Sequence, residues 1–235
     1  MKKFSFLLLF ILATSCAELQ QIADEAMKNQ SITNADISSG LKQALSQGVD
    51  DRVTSLASEG GFFQNEMVRI MLPDELKALD STLRNIGLGS LADQGLRLLN
   101  RAAEDAVSEA IPVFINAIQD LTIADARDIL MGDQVAATSY LKTQTSDELY
   151  QRFQPIIENS FAKVGAAEVW SNAIQRYNQI PLTQNVNPDL TDYVTQEAMK
   201  GVFKMIEIEE MQIRERVSNR KTDLLKRVFA LQDRS

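Results

Sequence analysis

The stretch Ile37-Ser38-Ser39-Gly40-Leu41-Lys42-Gln43-Ala44-Leu45-Ser46-Gln47-Gly48-Val49-Asp50-Asp51-Arg52-Val53-Thr54-Ser55-Leu56 decides the fold class. Ile37, Leu41, Leu45, Val49 and Val53 recur every fourth residue, and Leu56 closes the stripe. A strand would need apolar residues at alternate positions; this spacing instead gathers them along one side of an α-helix. The helix is expected to end at Gly60-Gly61, where the chain needs a residue that enters the left-handed region without steric cost. The residues that follow, Phe62 to Leu72, form the most apolar and least clearly helical part of the body.

Beyond it the helical spacing resumes. Pro73-Asp74-Glu75 reads as a helix start, because Pro suits the first turn and carboxylates favour the positive end of the helix dipole. That helix carries Leu76, Leu83 and Ile86 and stops at Gly87 or Gly89. Ser90 is placed to cap the next one, with Asp93 three residues on. Its stripe, Leu91, Leu98, Ala102, Ala106 and Ala110, contains small residues that permit close contact, and Pro112 kinks or divides it before Val113 to Ile118. Thr122 to Asp125 spells a capping box with Asp in place of Glu, opening a helix to Met131 that Gly132 stops. Thr145-Ser146-Asp147-Glu148 spells a second box, predicting a helix that contains Pro155 and ends at Gly165. A helix from about 167 to 180 precedes Pro181 and a loop over Leu182 to Pro188. Pro188-Asp189 then opens the longest predicted helix, with Tyr193, Met199, Val202, Phe203, Ile206 and Ile213 on its apolar side. A last helix carries Leu224, Leu225, Val228 and Phe229. No strand alternation of useful length and no internal repeat is present. The expectation is an all-α fold, one globular domain of about eight or nine helices over 36–235.

The N-terminus reads as an address. Lys2 and Lys3 precede the apolar run Phe4 to Ala13, broken only by Ser5. A run of that length falls short of the ~20 residues that a membrane-spanning helix needs, and it matches a secretory signal peptide. Its end, Leu12-Ala13-Thr14-Ser15-Cys16, resembles a bacterial lipobox, which implies cleavage before Cys16 and acylation of that residue. Residues 1–15 are then a lipoprotein signal peptide and 16–35 a lipidated tether. Three acyl chains would hold firmly, since each buried CH₂ contributes ~0.8 kcal/mol and one chain alone is marginal. Ala17 resembles an outer-membrane sorting signal, so the expected location is the outer membrane, facing the periplasm.

Composition narrows the chemistry. The 235 residues are 45% hydrophobic and 24% charged, with one Cys and no His. One Cys excludes an intrachain disulfide framework and any Cys-cluster metal site. Without His the chain lacks the commonest general base and the commonest metal ligand, and neither a metal nor a cofactor is expected. Loss of Lys2 and Lys3 with the signal leaves 22 basic residues, from 24, against 32 acidic, a formal net charge of −10. Nucleic acid, whose phosphates demand a basic face, is excluded as a partner on that ground.

The enzyme motifs fail one by one. Ser-x-x-Lys occurs three times, at Ser39/Lys42, Ser160/Lys163 and Ser218/Lys221, on different helices and without the partner motifs that penicillin-binding proteins require. Gly87-x-Gly89 has no Gly at position 92 and no preceding strand, so it is a turn. Glu207, Glu210 and Arg214 share a helix face, which reads as an exposed Glu-to-Arg pair. Asp120, Asp125, Asp128 and Asp133 straddle two helix starts, where Asp caps are expected. Trp170, Ile174 and Tyr177 share one face and read as core packing in preference to a ligand cage.

Several segments together carry a family resemblance. Gly60-Gly61-Phe62 with Asn65 and Arg69-Ile70, then Leu72-Pro73, resembles the opening signature of the bacterial domain-of-unknown-function family DUF4197. The resemblance continues through Asn100-Arg101-Ala102-Ala103-Glu104, Thr122-Ile123-Ala124-Asp125-Ala126, Ala136-Ala137-Thr138-Ser139-Tyr140 and Phe153-Gln154-Pro155-Ile156. It closes with Tyr193-Val194-Thr195, Gly201-Val202-Phe203, Glu209-Glu210, Ile213-Arg214 and Thr222-Asp223-Leu224-Leu225, and departs at Met71. It covers about residues 38 to 230. It implies an exported helical protein and supplies no catalytic residues.

The functional expectation is a lipid-anchored envelope protein whose helical domain binds a protein partner or an apolar or acidic ligand, with no catalytic residues assigned. The alternative is an enzyme that uses carboxylates and Arg on envelope glycan or lipid. Cys16 is the membrane attachment. Any binding is expected at Gly60 to Pro73, through Phe62, Asn65 and Arg69: the last two stand four residues apart amid apolar neighbours, a fork of donors beside a greasy wall. Otherwise Arg69 must reach solvent or find a carboxylate on a neighbouring helix, because a buried unpaired guanidinium is prohibitive. Between Arg214 and Arg227 six basic residues meet two acidic ones, a cationic segment that either neutralises the acidic body or meets anionic head groups.

Overall fold

The computed structural model describes residues 32–73, 77–85, 87, 89–179, 181, 185, 187 and 189–234. Among them are nine α-helices, two short 3-10 turns and no strand, as the apolar spacing requires. They are α1 (Asn34–Ala57), α2 (Lys77–Asn85), α3 (Gly89–Val107), α4 (Ala110–Gln119), α5 (Ile123–Met131), α6 (Ala136–Ala162), α7 (Ala166–Asn178), α8 (Leu190–Glu215) and α9 (Asp223–Phe229). Residues 35–235 form one compact unit. The signal peptide, Cys16 and most of the tether lie outside the described residues, as do the Asp74-Glu75 helix start and most of the 182–188 loop.

The centre is the pair α6 and α8, which pack on each other, with α3 against both and α4 and α5 against α6. Phe153, Ile157 and Phe161 of α6 and Val194, Ala198 and Val202 of α8 are buried there. On α1 the whole stripe from Ile37 to Leu56 is buried, as its period predicts. Caps hold the ends where the sequence places them. Thr122 and Asp125 exchange side-chain and backbone hydrogen bonds in a full capping box, and the Asp189 carboxylate accepts from the Asp192 amide at the start of α8.

Six expectations are corrected. Thr145 to Glu148 opens no helix: α6 already runs from Ala136, and the Thr145 and Ser146 hydroxyls donate back to the Leu141 and Lys142 carbonyls, as mid-helix hydroxyls do. At 27 residues α6 is therefore longer than α8, at 26. Ser90 lies inside α3, which begins at Gly89, and Asp93 pairs with Arg84 of α2. The buried face of α3 is Ala92, Leu96, Leu99 and Ala103 together with Ala102 and Ala106, while Leu98 is 41% exposed. The Ala-rich helix surface is narrow enough that the small side chains set its orientation and Leu98 falls outside it. Pro112 sits in the first turn of α4, where a missing N–H costs nothing, so the division expected there falls at Ser108-Glu109.

Glu210 and Arg214 are the last of these corrections. They are not an exposed pair but a buried one, 6% and 5% exposed. Helix α6 has no side-chain cap at Val135. Its first free amides, on Ala137 and Thr138, donate to the Glu210 carboxylate at 2.9 and 2.8 Å, and the Thr138 hydroxyl adds a third bond at 2.8 Å. Arg214 then donates to Glu210 and to the Ile129 and Leu130 carbonyls at the end of α5. One ion pair thus caps the start of one helix and the end of another, satisfying groups that would otherwise be buried unpaired.

Candidate functional site

The segment after α1 turns on Gly60, whose φ of +80° lies in the left-handed region that glycine enters freely. The chain then runs without regular structure to Pro73. Such a segment carries many backbone groups, and each needs a partner if it is to be buried. Helix α3 supplies them from two side chains one turn apart. The buried Glu104 carboxylate accepts the Phe62 and Phe63 amides at 3.1 and 3.3 Å. The buried Asn100 amide accepts from the Ile70 N–H and donates to the Ile70 carbonyl, both at 2.8 Å. The segment is thereby fixed to α3 at both ends.

Of the three residues expected to bind, Phe62 is buried and Asn65 and Arg69 are half-buried. Phe62 is fully buried in the core, against Gly201 of α8. The Asn65 side-chain Oδ1 accepts the Met67 amide at 3.2 Å, and its Nδ2 lies 3.7 Å from the Met205 sulfur. Arg69 finds no carboxylate among the described residues; its Nε donates to the Phe63 carbonyl and its guanidinium lies 5.1 Å from the centre of the Phe63 ring. Arg97 of α3 lies 4.5 Å from the centre of the same ring. Two cations thus contact one half-buried ring, and the ring and Arg97 line a groove of about 440 Å³ together with Gly60, Gln64, Gln94 and Leu98. Sequence reasoning missed Glu104, Asn100 and Arg97. The first two stand in the segment Asn100 to Glu104, but a side chain that replaces a backbone partner leaves no periodic trace.

A second groove, of about 550 Å³, runs along α6 and α8 past Lys142, Tyr150, Met199, Lys200, Phe203 and Lys204. Its polar groups are largely engaged. Lys200 and Lys204 pair with Glu197 and Glu207 at 2.6 and 2.7 Å, and the Tyr150 hydroxyl donates to Asp192 at 2.7 Å. Burial pushes the Asp192 carboxyl up, but hydrogen bonds from Tyr150, Gln196 and Asn187 outweigh it and hold the group below 3.8. The aromatic face on α7 is packing: Trp170 stacks on Tyr193 with ring centres 5.8 Å apart, and it packs with Leu72 on the buried Ile174. The Tyr177 side chain lies outside the described residues.

The cationic C-terminal segment turns inward. Arg214, Arg220, Lys221 and Lys226 meet Glu210, Asp233, Asp51 and Asp223. Arg220 is buried and also donates to the Ile213 and Arg214 carbonyls, so it holds the chain end in place. Its hydrogen bonds keep the Asp233 carboxyl below 3.8, against the opposing effect of burial. A depressed native value stabilises fully above the unfolded value and is lost as pH falls through the native one. The stability advantage of the native chain over Asp233→Asn is therefore expected to hold above about pH 5 and to shrink steadily below pH ~4. Urea midpoints from pH 6 downward measure it; a pH-independent difference would show that the Asp233 charge is not what holds the end.

The fold and the groove define a class, an all-α domain that presents a surface groove walled by an aromatic ring and arginines. The chain matches, over residues 31–230, the model of a family described as a protein of unknown function (DUF4197), and it belongs to that family. No curated protein and no solved structure matches it.

Proposed function

We propose that the chain is a lipoprotein of the cell envelope, held by acyl chains on Cys16, whose helical domain binds a ligand in the groove beside Phe63. The single observation that carries the binding reading is the pair Arg69 and Arg97 on one ring. Cations elsewhere in this acidic chain mostly face carboxylates, whereas these two rest on a ring that lines the groove, which Arg97 lines as well. The anchor reading rests on the sequence: two Lys, a short apolar run and the lone Cys at the position a lipobox demands. Among the described residues no helix is long and apolar enough to cross a membrane, so attachment through Cys16 would be the means of holding this domain at a surface. Catalysis by Glu210 is not supported, since its oxygens already accept from two amides, a hydroxyl and Arg214.

The anchor is tested by Cys16→Ser. The variant is expected to leave the membrane pellet during a high-salt wash that retains the parent. A variant that stays in the pellet would overturn the anchor and, with it, the outer-membrane, periplasm-facing location.

A further inference from the structure

The chemistry of the groove wall narrows what it can hold. A guanidinium presents five donors in its own plane, and an aromatic face accepts none of them strongly. Arg97 lies over Phe63 and, among the described residues, has no carboxylate or carbonyl partner, so its donors are left for water or an anion. The Arg69 Nε is used by the Phe63 carbonyl, which fixes that guanidinium beside the same ring and leaves its terminal nitrogens. The ring contact restrains the Arg97 guanidinium before anything binds, which lowers the ordering cost of accepting a carboxylate or phosphate by two parallel hydrogen bonds.

The wall has a second character. Leu98 is 41% exposed and lines the groove with the half-buried Phe63. The carboxylate nearest the ring, Glu104, is spent on the Phe62 and Phe63 amides and lies 3.5 Å from Arg101. Arg101 also pairs with Asp105 at 2.8 Å. Of the cations that line the groove, Arg97 alone has no carboxylate partner among the described residues, and Glu59 lines the groove as well. A volume of about 440 Å³ is in the range of small-molecule sites.

We infer that the groove takes a single-chain anionic amphiphile, its carboxylate or phosphate head on Arg97 and its alkyl chain along Phe63 and Leu98. This rests on the binding reading of the same groove. The head chemistry is shared by a fatty acid and an alkyl phosphate, and a guanidinium suits either.

The test uses the full chain carrying Cys16→Ser, titrated calorimetrically with decanoate, decyl phosphate, decyltrimethylammonium, octyl glucoside and inorganic phosphate, each below its micelle concentration. Decanoate or decyl phosphate should bind, and Arg97→Gln should weaken that binding at least tenfold. Leu98→Asp should weaken it similarly, while Glu59→Gln should tighten it. The stronger of the two anions identifies the head group. If octyl glucoside or decyltrimethylammonium binds as tightly as the anions, and Leu98→Asp abolishes it, the groove is a binding site but the anionic class is wrong. Inorganic phosphate binding as tightly as decyl phosphate would remove the alkyl chain from the inference. If neither Arg97→Gln nor Leu98→Asp changes the binding of any amphiphile, the groove reading itself fails.

Discussion

Glu210→Ala is expected to lower the unfolding free energy by about 3–5 kcal/mol, the cost typical of removing one partner of a buried ion pair. Three separate losses converge on this residue. Arg214 is left as a buried cation without its carboxylate, the Ala137 and Thr138 amides lose their acceptor, and the Thr138 hydroxyl loses its own. Substitution by Gln keeps the shape and one acceptor oxygen, and should recover part of the loss. Urea titration followed by circular dichroism measures both variants. A deficit for Glu210→Ala below about 1 kcal/mol, the level of an exposed pair, would mean that water reaches the pair in solution.

Phe62→Ala should be comparably costly, about 3–5 kcal/mol, because it empties a fully buried aromatic site. The site has little means of collapsing. A Cβ built on Gly201 would lie only 2.6 Å from the Phe62 ring, so the ring already rests directly on the backbone of α8. The adjoining backbone cannot settle inward either, since the Phe62 and Phe63 amides are tied to Glu104. The same variant should leave the helix content almost intact, because Phe62 belongs to no helix. Calorimetric melting together with far-ultraviolet dichroism separates the two effects. A variant that melts like the parent would show that the segment can repack around the void.

How legible the fold was depends on what signal each element leaves. The α1 stripe announced itself because one apolar face of regular period is enough to specify a half-buried helix. Helix α6 was misread at its start for a reason that is local: Thr145-Ser146-Asp147-Glu148 satisfies the spelling of a cap. A cap, however, is needed only where a helix begins, and α6 begins where Glu210 reaches across from α8 to take its amides. A long-range carboxylate overrode a short-range word. The same limit hid the frame of the groove. Arg69 was expected to seek a carboxylate by its charge and found a ring and a carbonyl, because Glu104 was already committed to backbone amides. Sequence can say that a buried polar group must be partnered; it cannot say which of the available partners is closest in space.

The attachment of the 62–70 segment to α3 divides the labour of the groove between two kinds of residue. Glu104 and Asn100 act on main-chain atoms, so what they fix is the path of the chain, whatever side chains that path displays. The wall facing solvent is made by other positions, Gln64, Gln94, Arg97 and Leu98, whose tips carry no part of that frame. Scaffold and contents are therefore separately variable, as they are in an antibody loop set upon its sheet. A change of taste in the ligand needs only the contents to change, and the thermodynamic cost of experiment at those four positions is small.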